Sequence, residues 1–294
     1  MNSVSKILLL SLILLISAPE IQAQEQKETK ETKQKKGKKK KKYKLPDIDL
    51  SHWKVTIPAG DPAEVGPPDI LDYANNDVLK PYMYNDSARG ALVFYAIPNA
   101  TTANTKYSRS ELREQMEPGE NKVNWTFKQG GKMKGRLAMG EVSKDKNGKY
   151  HKVIIMQIHG RLSNEQRDLI GQKDNNAPPV LKIYWQNGKV RVKTKVLKDL
   201  SMSDTEILRT DSWTDDKGHT FKEEVGFKPF ELEVKVSEGK LVVSLNKTEF
   251  AVYDDIHMEK WGVFENYFKA GNYLQSKDKE AHAEVKYFDL EVTH

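Results

Sequence analysis

The chain has 294 residues, which is enough for one large β-rich domain with a sizeable core. It contains no cysteine, which excludes a disulfide framework, a thiolate metal site and a cysteine nucleophile. The formal net charge is +6, but residues 1–42 hold 11 Lys against 4 Glu, so the rest of the chain is close to neutral. A near-neutral domain gives no reason to expect a nucleic-acid partner.

The N-terminus has the pattern of a secretory signal peptide. Lys6 precedes an apolar run, Ile7 to Ile16, and small and polar residues follow it. A cleavage site after Ala23 predicts a signal peptide over residues 1–23 and a secreted or periplasmic protein. No later stretch reaches the length of a transmembrane helix, so we expect no stable membrane insertion.

Residues 24–44 are rich in lysine and lack apolar residues that could form a core. Such a like-charged block is typical of a disordered segment. Two interpretations remain open: a solvated spacer, or electrostatic attachment to a polyanion.

A single folded domain is predicted over residues 45–294. Strands are expected at residues 49–58, 92–97, 182–186, 189–193, 231–236, 240–245 and 284–292, and residues 59–77 read as a loop rich in Gly, Pro and Asp. Asn147-Gly148 and Asn187-Gly188 are dipeptides that favour tight hairpins. Residues 164–174 fit either a short helix or a polar loop. Many short strands with few helices predict an all-β antiparallel sandwich or barrel.

A charged strand is predicted from Arg109 to Gln115. Alternation puts Arg109, Glu111 and Arg113 on one face, with Glu111 about 7 Å along the strand from each arginine. Arginine binds carboxylates through a planar fork, so this face could hold an anionic polymer with Glu111 fixing both guanidinium groups. A surface ladder of salt bridges is the alternative.

A second strand, from Lys152 to His159, is apolar enough to be buried on both faces. Gln157 and His159 interrupt it on one face, and strict alternation puts His151 on that face too. Buried polar groups need partners, so the pair is either structural or part of a site.

A third strand, from Tyr267 to Gln275, is polar and aromatic on one face, which carries Lys269, Gly271, Tyr273 and Gln275. Its other face is mostly apolar. The polar face is typical of a surface that holds a polar ligand, with Gly271 leaving space for a sugar ring.

Together these three strands resemble the alginate lyases of polysaccharide lyase family 7. The motifs that carry the resemblance, in order, are Arg109-Ser110-Glu111-Leu112-Arg113, Gln157-Ile158-His159 and Tyr267-Phe268-Lys269-Ala270-Gly271-Asn272-Tyr273. The resemblance implies a β-jelly-roll with an open substrate groove. It also implies β-elimination on alginate, without a metal or other cofactor, by a catalytic set of Arg109, Gln157, His159 and Tyr273.

Glu111, Arg113, Lys269 and Gln275 are then predicted to contact the substrate. The chemistry needs donors that stabilise a uronate carboxylate, a base for the C5 proton and an acid for the leaving oxygen. Tyr273 fills either proton-transfer role if Lys269 or Arg113 lowers its pKa, and His159 is the alternative base. The isoleucine of the Gln-Ile-His motif resembles guluronate-accepting members of the family, so guluronate or mixed blocks are the expected substrate.

Two other functions fit parts of the sequence. A non-catalytic carbohydrate-binding module would explain the aromatic groove but has no need of His159. A glycoside hydrolase would need two carboxylates across the scissile bond, and Glu111 has no obvious partner of that kind. Whichever of these functions applies, we expect the chain to act as a monomer.

Overall fold

The computed structural model describes residues 44–102 and 105–294. The predicted signal peptide and all but the last residue of the lysine-rich tail lie outside this range. The described residues form two β-sheets that pack face to face, so the predicted all-β jelly-roll sandwich is confirmed. No helix among the described residues is long and apolar enough to cross a membrane.

An eight-stranded sheet forms one layer, in the order β16-β15-β14-β8-β18-β5-β4 with β1 beside β18. Its strands are β1 (Asp47–Ile48), β4 (Met83–Asp86), β5 (Ala91–Ala96), β8 (Gly131–Val142), β14 (Phe230–Ser237), β15 (Lys240–Leu245), β16 (Glu249–Tyr253) and β18 (Ala283–Thr293). The β1–β18 pair is parallel, and the other strand pairs between described residues are antiparallel.

A ten-stranded sheet forms the other layer, in the order β12-β11-β10-β9-β17-β6-β2-β3, with β13 beside β11 and β7 beside β17. Its strands are β2 (Trp53–Ile57), β3 (Ala63–Val65), β6 (Arg109–Glu114), β7 (Trp125–Thr126), β9 (Val153–Arg161), β10 (Asn176–Gln186), β11 (Lys189–Leu197), β12 (Trp213–Asp215), β13 (His219–Glu224) and β17 (Glu265–Leu274). The three strands that carry the predicted site, β6, β9 and β17, are neighbours at its centre.

The helical elements are short. They are α1 (Asn164–Leu169), α2 (Ile256–Trp261) and 3-10 turns at Asp69–Asp72, Glu206–Leu208 and Thr210–Ser212. Helix α1 settles the open choice at residues 164–174, because Ser163 and Gln166 form a reciprocal capping box at its start.

The loop and turn predictions have different outcomes. Residues 59–77 are not all loop, because β3 pairs with β2 and a 3-10 turn follows it. Asn187-Gly188 does join the paired strands β10 and β11, with positive φ at both residues. Asn147-Gly148 also lies in a tight turn, closed by an antiparallel bridge between Lys144 and Tyr150, but this turn is in the connection between β8 and β9, which belong to different sheets.

The core between the sheets fixes the position of β17. Phe268, Ala270 and Leu274 are fully buried in it, as the alternation of this strand predicts. Asn272 is also buried, and its amide donates to the Ala283 carbonyl (2.6 Å) and a second carbonyl of the opposite sheet. Because a buried amide is costly to leave unpaired, these bonds fix the position of β17 along the strands of the eight-stranded sheet.

Candidate active site

Strands β6, β9 and β17 bring the predicted residues together on one face of the ten-stranded sheet. Lys269 lies directly opposite Arg113 on one side and Gln157 on the other, and Tyr273 lies opposite Arg109. Residues that pair directly across strands point to the same side of a sheet. We call this side, which faces away from the core, the site face.

A bulge sets the phase of β9. Ile155 and Met156 are consecutive, yet both are buried in the core, and at this point β9 advances two residues while β10 advances one. Gln157 and His159 consequently reach the site face, whereas His151 is out of phase with them. The expectation from strict alternation that all three share a face is therefore wrong.

Glu111 lies at the centre of the site, with 1% of its surface exposed. One carboxylate oxygen accepts a hydrogen bond from the Gln157 amide nitrogen at 2.6 Å. The other accepts from Arg109 at 3.2 Å and forms an ion pair with Lys269. We call these four residues the Glu111 cluster. Glu111 thus fixes one arginine and one lysine, not the two arginines that the sequence suggested.

The charges within the Glu111 cluster are strongly coupled. Burial opposes ionisation of Glu111, but the positive charges of Lys269 and Arg109 outweigh it and hold the pKa of the carboxyl below its usual value. Burial, with the nearby charge of Arg109, lowers the pKa of Lys269 to about 8. The cluster therefore carries an excess of positive charge at neutral pH, which suits an anionic ligand.

Arg113 was predicted to contact substrate, but its recorded hydrogen bonds run to the protein. Its guanidinium donates to the Asn121 carbonyl and the Asn124 side chain, both at 2.9 Å. It also lies 4.1 Å from the centre of the Tyr267 ring. The structure therefore gives Arg113 a part in holding Tyr267 and the segment after β6.

Tyr273 lies beneath the Arg109 guanidinium, which is 4.5 Å from the ring centre. Burial raises the pKa of its phenol, and the charge of Arg109 and two backbone N–H groups offset this only in part. The expectation that Lys269 or Arg113 lowers this pKa is wrong, because burial is the larger effect and the cation that opposes it most is Arg109. Tyr273 therefore carries its proton at neutral pH and can donate it.

His159 has the opposite character. Its Nδ1 atom lies 3.0 Å from the Gly160 carbonyl oxygen, and since a carbonyl only accepts, Nδ1 carries the proton. Burial, reinforced by Lys269, lowers the pKa of the imidazole to about 3. The ring also stacks on Tyr267, with centroids 5.3 Å apart. A neutral His159 with an unprotonated Nε2 can accept a proton.

Gly271 and Gln275 complete the predicted face. Gly271 has a φ of 136°, and a Cβ there would lie 2.7 Å from the Ser110 carbonyl oxygen. The glycine is needed for the close approach of β17 to β6, a different reason from the predicted space for a sugar. Gln275 follows the end of β17, and its amide donates to the Tyr273 carbonyl at 3.2 Å.

The site face also carries residues of the next strand that were not predicted from the sequence. Lys182 of β10 lies opposite Gln157, and Tyr184 lies opposite Ile154. Tyr107, just before β6, packs against Tyr273 with ring centroids 6.4 Å apart. The alternation around Lys182 and Tyr184 marks a polar face, but only the strand register shows that this face continues the site.

A metal centre was not predicted, and none can be assigned in the part of the chain that the structure describes. No group of three or more His, Asp or Glu side chains there is placed to hold a metal ion.

Comparison with known proteins points to one family. The family model described as alginate lyase matches residues 48–294. The crystal structure of alginate lyase A1-II', a member of polysaccharide lyase family 7, is 29% identical with a TM-score of 0.67, and the match covers 84% of this chain and 96% of that one. Alginate lyase PA1167 from Pseudomonas aeruginosa is 23% identical with a TM-score of 0.62, over 84% of this chain and 99% of that one. No curated protein matches the chain.

A variant of A1-II' with one His→Asn and one Tyr→Phe substitution was crystallised with a substrate designated GGMG. It is 28% identical to this chain with a TM-score of 0.67, and the match covers 84% of this chain and 94% of that one.

Proposed function

The chain belongs to the alginate lyase family, a family of polysaccharide lyases, and from this premise we propose that it cleaves 1,4-linked uronate chains by β-elimination. The products would be 4,5-unsaturated oligosaccharides. The observation that carries the proposal is the pairing of a proton donor and a proton acceptor on one face. Tyr273 is protonated and His159 is not, and the Glu111 cluster lies on the same face, on their strands β17 and β9 and on the neighbouring β6.

The first requirement of the reaction is a partner for the uronate carboxylate. Removal of the C5 proton puts further negative charge on that group, and fixed donors stabilise it best where water is excluded. Arg109 uses one N–H for Glu111 and keeps others for a ligand. The Gln157 amide likewise keeps one N–H, and Lys269 adds positive charge beneath both.

The second requirement is the transfer of two protons. Nε2 of His159 takes the C5 proton, the C4–O bond breaks, and a double bond forms between C4 and C5. The Tyr273 hydroxyl gives its proton to the departing oxygen. The protonation states of the two residues match these roles without any preceding proton transfer.

Separate groups for base and acid favour guluronate, in which the C5 proton and the leaving oxygen lie on opposite sides of the ring. We therefore propose guluronate-rich or mixed blocks as the substrate. The motif isoleucine supports this only through the family resemblance, because Ile158 is fully buried in the core and does not reach the site face.

The test is to mix the purified protein with alginate, with separated guluronate and mannuronate blocks, and with other polyuronates, and to follow ultraviolet absorbance of the conjugated product. We expect a rise with alginate that is faster on guluronate blocks. No rise on any polyuronate would exclude the lyase function, and a faster rise on mannuronate blocks would reverse the assigned preference.

We also propose that the protein is exported and acts as a monomer. The signal-peptide pattern of residues 1–23 supports export. N-terminal sequencing of the secreted protein should find Gln24 first, and light scattering should give the mass of one chain.

A further inference from the structure

The site face does not end at β9. Lys182 of β10 pairs with Gln157, and Lys193 of β11 pairs with Lys182. Together with Lys269 and Arg113, these residues form one row across five adjacent strands. Since paired residues share a face, the row carries the site face past the catalytic strands.

The far end of this row is a cluster of lysines around one carboxylate. The ammonium groups of Lys182 and Lys195 lie 2.7 and 2.8 Å from Asp215, and that of Lys193 lies 3.9 Å away. We call these four residues the lysine cluster. Three cations share one anion, so the lysine cluster has an uncompensated positive charge.

Further cations surround the lysine cluster. Burial lowers the pKa of Lys152, and the positive charges of Lys193 and Arg191 lower it further. The ammonium group of Lys152 lies 4.8 Å from the centre of the Tyr184 ring. Tyr184 is in turn opposite Ile154, the residue that faces Tyr273. A continuous surface therefore joins the proton donor to the lysine cluster.

Lys193 is the member of the lysine cluster best placed to bind a ligand. Its side chain is 29% exposed, against 16% for Lys182 and 14% for Lys195. It is also the farthest of the three from Asp215, so its donors are the least engaged by the protein. Lys182 and Lys195 hold Asp215 tightly and act as its support.

We propose that the lysine cluster is a distal subsite in which Lys193 binds the carboxylate of a uronate residue away from the cleavage point. The inference rests on the proposed function. Strands are about 4.8 Å apart, so Lys193 lies about 10 Å from Gln157, a distance that spans roughly two sugar rings. A chain that crosses the strands along the row would thus place a second carboxylate over Lys193.

The test compares Lys193→Gln with wild type on alginate and on oligouronates of increasing length. A partly exposed charge-assisted contact predicts a KM on polymer raised about three- to tenfold, with kcat unchanged. Disaccharides, which are too short to reach Lys193, should be cleaved as by wild type, and the difference should begin at one particular greater length. Lys193→Arg, which keeps the charge, should restore the KM.

Lys235→Gln is the matched control, because Lys235 is 62% exposed on β14 of the other sheet. It should leave the KM on polymer unchanged. The subsite is refuted if Lys193→Gln has the wild-type KM on polymer, or if it raises KM equally for every length. These outcomes require an active wild-type enzyme, so they are distinct from failure of the proposed function, in which wild type itself gives no product.

Discussion

Glu111 and Glu114 are two buried carboxylates on one strand, but they face opposite sides of the ten-stranded sheet. Glu111 is 1% exposed and points to the site face. Glu114 is 3% exposed and points to the core side, where it accepts hydrogen bonds from the Trp125 indole (3.0 Å) and the Phe268 amide (2.8 Å). His294 contacts its other oxygen at 2.6 Å.

The partners, not the burial, distinguish the two carboxylates. Glu111 is held by Arg109, Gln157 and Lys269, and at least the arginine and the amide keep N–H groups for a ligand. Glu114 is held by the buried indole of Trp125, a backbone amide of β17 and the partly exposed imidazole of His294. A buried carboxylate thus indicates a ligand-binding site when its partners keep N–H groups free for a ligand. It indicates a structural role when its partners are used up by contacts within the protein.

The largest expected effect is at Tyr273, the proposed proton donor of the site face. Tyr273→Phe removes the hydroxyl and keeps the ring under Arg109, so kcat should fall by about 10²–10⁴-fold while binding of polymer persists. Absorbance assays and binding measurements on alginate would separate the two. Tyr267→Phe is the matched control on the same strand and should keep most of its activity. Equal losses in both variants would contradict the assigned roles.

Substitutions of Glu111 and Glu114 should both lower stability, but only the Glu111 substitution should lower catalytic activity. Glu111→Gln leaves Arg109 and Lys269 without their anion, so we expect a loss of about 3–5 kcal/mol in unfolding free energy together with a fall in kcat/KM. Glu114→Gln should also lower stability, but with kcat nearly unchanged for the fraction that remains folded. Denaturant titration and assays on the same samples test this. An equal fall in kcat in both variants would contradict the different roles given to Glu111 and Glu114.

The charges of the site face also predict a pH dependence. Lys269, with a pKa of about 8, is cationic below that pH and loses its charge as the pH rises through it. We expect kcat/KM to fall above about pH 8, by up to tenfold per unit, as the carboxylate-binding charge is lost. His159, with a pKa of about 3, stays unprotonated and should cause no loss between about pH 5 and 8. A fall in kcat/KM on acidification with a midpoint near pH 6.5 would contradict the assignment of His159 as a neutral base.

The smallest kinetic effect is expected at His294. Its burial opposes the charged form, but the bond to Glu114 outweighs this and raises the pKa of the imidazole. Its contribution to stability is therefore full below the unfolded value of about 6.5 and is lost as the pH rises through the folded pKa. His294→Gln should lower unfolding free energy by about 1–3 kcal/mol at pH 5.5 and by less at pH 9, with kcat within about twofold of wild type. A loss that grows with pH would contradict this.

Much of this arrangement could be predicted from the sequence, for identifiable reasons. Period-two alternation put Lys269 and Tyr273 on one face of β17, and the structure agrees because no bulge interrupts its pairing with β6. The same rule failed for His151, because β9 has an extra residue relative to β10 and its side chains change phase there. Alternation is a property of one strand, and it does not show where the pairing register between neighbouring strands shifts.

Electrostatic details were less predictable, because they depend on three-dimensional distances. The sequence suggested a lowered pKa for Tyr273, but burial of the phenol outweighs the cation above it. It also suggested that Glu111 holds Arg113, whereas Lys269 of β17 takes that place. The lysine cluster was missed because Asp215 lies on β12, well separated in sequence from Lys182.

We propose that the site face of β6, β9 and β17 breaks alginate by elimination. Mass spectrometry of the products distinguishes elimination from hydrolysis, because elimination adds no water and leaves one end unsaturated. We predict that wild type releases oligomers with an unsaturated end, each lighter by one water than the hydrolytic product, and that Tyr273→Phe releases almost none. Saturated products carrying the added water, or unsaturated products formed equally well by Tyr273→Phe, would contradict the account.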